Sequence, residues 1–81
     1  MNHYMLIIRC TLDDVPYGVW HKEQDARLAA ARLESVSDTL LALSDLEDVF
    51  ECDFNSPVCL TLLSFNGNYP VKTEVLVSYD D

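Results

Sequence analysis

At about Lys22 the spacing of the apolar residues changes, and this change limits the possible folds more than any other feature of the chain. Before it, residues 4–12 form a continuous apolar run, and Val15, Tyr17 and Val19 follow at period two. Both are strand patterns, one buried and one alternating. After it, Ala26, Ala29, Leu33, Val36, Leu40 and Leu43 recur at alternating spacings of three and four, widened by Ala30. That is the apolar stripe of an amphipathic helix. The period then returns to two. Phe50, Cys52 and Phe54 alternate with Glu51 and Asp53, and residues 58–65 are apolar on both faces. In the last stretch Tyr69, Val71, Thr73, Val75, Val77 and Tyr79 share one face, with Lys72, Glu74 and Ser78 on the other. The order predicts one α+β domain over residues 1–81. It is β-β-α-β-β-β, an antiparallel sheet with a helical segment on one face.

Local signals set the boundaries. Asp13-Asp14 reads as a turn, and Pro16, lacking an amide donor, belongs at a sheet edge. Glu23 and Asp25 lie where a helix N-terminus favours anions. The polar group Ser35-Val36-Ser37-Asp38 offers a break, so the segment is one long helix or two short ones. Asn66-Gly67 is a hairpin signal that would pair Leu62 with Val71, Leu60 with Thr73 and Val58 with Val75. A two-residue turn at Asn55-Ser56 would carry Glu51 and Asp53 onto that apolar face, at a desolvation cost. A three-residue loop through Pro57 instead pairs Cys52 with Leu60 and Phe50 with Leu62. It also separates Cys52 from Cys59.

These registers gather Tyr4, Leu6, Ile8, Cys10, Val15, Tyr17 and Val19 under the helix. They leave Met5, Ile7, Trp20, Cys59, Leu63, Phe65 and Leu76 on the outer face. A one-sided antiparallel sheet is ordinarily polar there. An apolar patch of several hundred Å² marks an interaction site, so Ile7, Trp20, Leu63, Phe65 and Leu76 are the candidate interface.

The net charge is -9, from 14 acidic and 5 basic residues. Direct nucleic-acid binding needs cations to displace phosphate counterions, and anionic membranes repel such a chain. A basic protein surface is a permitted partner. Asp45, Glu47, Asp48, Glu51 and Asp53 are the candidate acidic contact. The first three fall where a helix would end, and each acid there costs a few tenths to about 1 kcal/mol.

Cys10, Cys52, Cys59, His3 and His21 supply metal-ligand types without zinc-site spacing. The acid run has no glycine and lacks calcium-loop ligand positions. There is no phosphate loop, and nothing completes a nucleophilic triad around His21. No metal or cofactor is expected. The expected function is a non-catalytic protein-interaction module that pairs with itself through the outer sheet face. The alternative is an acidic inhibitor or nucleic-acid mimic. An enzyme would require a pocket joining His21 to a cysteine or carboxylate. Neither a basic leader nor a membrane-length apolar stretch is visible, so a cytoplasmic location with reduced thiols is expected.

Overall fold

The computed structural model describes residues 2–52 and 56–79. Its elements run β1 (Asn2–Cys10), β2 (Asp14–Trp20), α1 (Glu23–Ala31), α2 (Val36–Phe50), β3 (Pro57–Asn66) and β4 (Tyr69–Ser78). The strands form one antiparallel sheet in the order β2-β1-β3-β4. Two hairpins therefore meet along β1 and β3, and both helices cover one face. Leu6, Ile8, Leu60 and Leu62 from the central strands pack with Val15, Ala26, Ala30, Leu33 and Leu43 in a continuous core.

The α+β antiparallel class stands, with one strand fewer than expected among the described residues. Phe50 ends α2, and Glu51 and Cys52 follow in a turn and bend rather than a strand. Asp53, Phe54 and Asn55 lie outside the described residues. The apparent alternation around Phe50 was the tail of a helical stripe, because Leu43, Leu46 and Phe50 continue at spacings of three and four. Leu60 and Leu62 consequently pair with Ile8 and Leu6 of β1, not with Cys52 and Phe50.

The helical segment is two helices. Ser35 caps α2, its hydroxyl accepting from Asp38 N at 3.1 Å, which satisfies one of the free amides of a first turn. The break resets the helical phase. Val36 and Leu40, expected inside, are 44% and 47% exposed, while Thr39 is fully buried. The Thr39 hydroxyl lies 2.8 Å from Leu33 O, 3.1 Å from Ser35 O and 2.7 Å from the Tyr79 hydroxyl, which itself donates to Leu33 O. Two hydroxyl protons thus fasten the interhelical joint to the end of the β4 hairpin. Burial pushes the Tyr79 phenol above its ordinary pKa.

Three irregularities decide which side chains face the helices. A bulge in β2 pairs Gly18 with Leu6 but Pro16 with Ile7. Tyr17 therefore stays inside, Val19 turns out to pair with Met5, and Trp20 turns in. The Trp20 ring lies over Gly18, where an added Cβ would stand 2.6 Å from it. In the second hairpin Asn66 pairs with Tyr69, so Gly67 and Asn68 form the turn, with Gly67 at φ 63. This places glycine first rather than second in the turn, at the position that needs positive φ. Two bulges in β4 then shift the ladder further. Leu60 pairs with Val77 instead of Thr73, and Leu62 with Glu74 instead of Val71. Leu76, Val77 and Tyr79 pack toward the helices, and Glu74 faces α1.

There the Arg27 guanidinium holds Glu74 through a bidentate pair at 3.0 and 3.1 Å, and Glu23 at 3.1 Å. The bonds from Arg27 hold the Glu74 carboxyl below its usual range. This tie contributes above the ordinary carboxylate pKa and is lost as pH falls through the depressed one.

Glu51 follows α2 in the left-handed region at φ 56, where a side chain crowds its own backbone and glycine does not. Two opposite outcomes follow for thermal unfolding. Glu51→Gly raises stability by about 1 kcal/mol, the relief of strain exceeding the added unfolded-chain entropy. Tyr79→Phe lowers it by about 1 kcal/mol through the lost hydroxyl bonds. Each shifts the melting temperature by roughly 4–8 °C, in opposite directions.

Candidate interaction surface

The face away from the helices is built in rows across the strands. One row is Val19, Met5, Leu63 and Thr73, and the next is Pro16, Ile7, Thr61 and Val75. His3 and Phe65 stack at one end, their rings 4.9 Å apart and 4° from parallel. Arg9 pairs with Asp14 at the other. Thr61, at the centre, is fully buried although no helix lies above it. Its neighbours in the rows close over it, and its hydroxyl is satisfied by Cys59 Sγ at 3.5 Å. Val19 and Val75 at the flanks are 58% and 59% exposed.

Of the residues singled out in the sequence, Ile7, Leu63 and Phe65 lie together on this face. Trp20 and Leu76 do not. Trp20 packs beside Tyr17 and α1, and Leu76 packs on the core, each turned inward by the bulge in its strand. Met5, Val19 and Val75 complete the patch. The signal that could have placed Val19 and Trp20 is the Pro16-Tyr17-Gly18 sequence, since glycine and proline inside a strand mark bulges.

The candidate acids do not form one surface. Asp45 and Asp48 are exposed on α2, and the helical period aligns them with Asp38 around the exposed Leu41. Glu47 is half-buried, and its charge acts on the Cys10 thiol. Glu51 caps the helix, and Asp53 lies outside the described residues. No basic residue stands in the last turn of α2 to offset the acids.

All three cysteines are free thiols. Cys10 is buried and Cys52 exposed. Burial, reinforced by the charges of Asp14, Glu47 and Asp13, pushes the Cys10 thiol from 9.0 up to about 11. That is the opposite of nucleophile activation. Among the described residues no group of three or more His, Cys, Asp or Glu could hold a metal ion. Three shallow grooves line the surface. One of about 340 Å³ runs between α1 and β4, one of about 460 Å³ lies beside Trp20, and one of about 280 Å³ sets Phe50 and Cys52 against Asp13–Pro16. None of these three brings His21 to a cysteine or carboxylate. No described helix is long and apolar enough to cross a membrane.

Comparison with protein-family models, curated proteins and solved structures gave no match to this chain.

The thiols give a direct check. A thiol reagent at pH 8 modifies Cys52 rapidly and leaves Cys10 protected until the protein unfolds. Because the Cys10 pKa is raised on folding, its contribution to stability is full below about 9 and is lost as pH rises through about 11. Urea midpoints measured from pH 8 to 11 fall over that range, and the fall is shallower in Cys10→Ala.

Proposed function

We propose that this chain is a non-catalytic interaction module whose docking surface is the open sheet face, and whose partner there is a second copy of itself. The observation that carries this reading is the separation of charge from that face. The chain has a net charge of -9, yet the rows through Met5, Ile7, Thr61 and Leu63 contain no ionisable side chain. Among the described residues the acids lie on the helices, their joint, the turns and the helix-facing side of β4, except Asp14, which sits beside Arg9 at one end of the open face. Two copies meeting open face to open face keep most of their charge apart and bring two apolar surfaces together. A two-fold pairing of one patch with itself is the commonest way such contacts close.

Area sets the strength. Strands about 4.8 Å apart, with about 3.3 Å per residue, give four strands by seven residues a plan area of about 440 Å². Two copies bury about 900 Å² in plan, at the low end for specific interfaces, where weak and transient contacts fall. The second reading, an acidic ligand for a basic protein, draws on the Asp38, Asp45 and Asp48 stripe. It has less behind it, because Glu47 is half-buried and Glu51 caps the helix away from the stripe's regular spacing.

Sedimentation equilibrium from about 10 μM to 1 mM tests the first reading. The expected outcome is concentration-dependent association in the high-micromolar range, weakened at least tenfold by Leu63→Lys or Phe65→Glu, with the circular dichroism of the fold retained. Wild-type protein that stays monomeric at 1 mM, or variants that associate as the wild type does, would refute it.

A further inference from the structure

We infer that β4 is built to pair edge-to-edge with β4 of a second copy, in an antiparallel register centred on Thr73. This contact is distinct from the open-face contact proposed above and does not depend on it. β4 is the outermost strand on its side of the sheet. An edge strand presents a row of unpaired amides and carbonyls, a template for another strand. Between its two bulges, residues 72–75 pair with β3 in one unbroken register: Ser64 with Lys72, Leu63 with Thr73, Leu62 with Glu74 and Thr61 with Val75. This regular stretch keeps a straight edge. The opposite edge, β2, has its bulge and Pro16 at mid-strand.

Symmetry restricts the possible registers. Paired residues in antiparallel strands point to the same sheet face. Two identical strands related by a two-fold axis therefore pair about a single residue, not between two. Centring on Lys72 sets Lys72 against its own copy, and centring on Glu74 does the same with two carboxylates; like charges directly opposite repel. Centring on Val75 sets Glu74 opposite Leu76. Centring on Thr73 alone sets Lys72 opposite Glu74 of the second copy twice, all within the stretch between the bulges, Val71 being the extra residue of one bulge. The sequence Lys72-Thr73-Glu74 is thus complementary to itself when reversed.

The side chains are accessible for this pairing. The Lys72 side chain is 62% exposed and that of Glu74 33% exposed, and within the chain they already approach to 3.4 Å. Val71 and Val75 are 65% and 59% exposed. The axis stands perpendicular to the sheet. The helices of both copies then lie on one side, and the two open faces merge into one eight-strand face of twice the area.

Amide hydrogen exchange of the wild-type protein tests this without a variant. The amides of residues 72–75 that point away from β3 exchange about twofold more slowly at 1 mM than at 10 μM, as an edge contact of about millimolar strength requires. This holds equally in Leu63→Lys, where the open face is disabled. Rates independent of concentration in both proteins would overturn the inference and leave the open-face reading untouched. A mixing experiment fixes the register. Lys72→Glu alone and Glu74→Lys alone each place like charges opposite and lose the slow exchange. An equimolar mixture restores it, because the paired acids of one variant then face the paired lysines of the other. A mixture no better protected than its separate components overturns the Thr73 register. The wild-type experiment decides the edge contact even if Glu74→Lys, which also loses its bond to Arg27, fails to fold.

Discussion

Everything in this molecule hangs on the ladder between Asn2–Cys10 and Pro57–Asn66. Each hairpin is local and could form early, but neither buries an apolar face by itself, and an isolated two-stranded hairpin is marginal at best. When β1 meets β3, Leu6 falls beside Leu62 and Ile8 beside Leu60, and the core to which both helices dock comes into being. The two strands are separated in sequence by the second strand and both helices, so the ladder closes a long loop before it gains its packing. That ordering favours slow folding for so small a domain. It also explains why the helices can be loosely dressed. Leu28, Leu40 and Leu41 remain exposed because the sheet supplies most of the burial.

The ladder also clarifies which parts of the fold could be read in the sequence. Periodicity located the four strands and the helical segment, since alternation and the three-four stripe survive any tertiary context. What it could not carry across was phase. A bulge of one residue exchanges the two faces of everything beyond it, and this sheet has such shifts in β1–β2, at the end of β1–β3, and twice in β3–β4. Trp20 and Leu76 moved from the outside to the inside for that reason alone. The joint at Ser35 did the same to Val36 and Leu40 in the helices, in the opposite sense. Ile7, Leu63 and Phe65 were placed correctly with respect to the helices because the central strands run in register between their ends. Alternation over three residues, as at Phe50-Glu51-Cys52, is too short to distinguish a strand from the final turn of a helix.

Charge follows the same architecture. The chain is strongly acidic, but a solvent-facing α2 and the turns carry the excess, while Arg27 and Lys72 gather around Glu74 where α1 reaches the β4 side. Mutual repulsion is thereby moved toward the helical layer. The cost appears locally: α2 ends in acids against its own dipole, with Glu51 in a left-handed conformation beyond it. The last turn of α2 is consequently its weakly supported end, whereas its first turn is capped by Ser35 and held by Thr39.

The placement of Trp20 has a consequence for observing this molecule. It is the chain's single tryptophan, laid over Gly18 and bordered by Ala29 and Arg32 at the α1 end of the groove. Its fluorescence is therefore an internal gauge of one contact, the seating of α1 on the first hairpin. An event that lifts α1 changes the emission, whereas fraying of the far end of α2, or contact on the bare side of the sheet, leaves it unaltered. Light from one ring thus separates motions that a whole-molecule signal would merge.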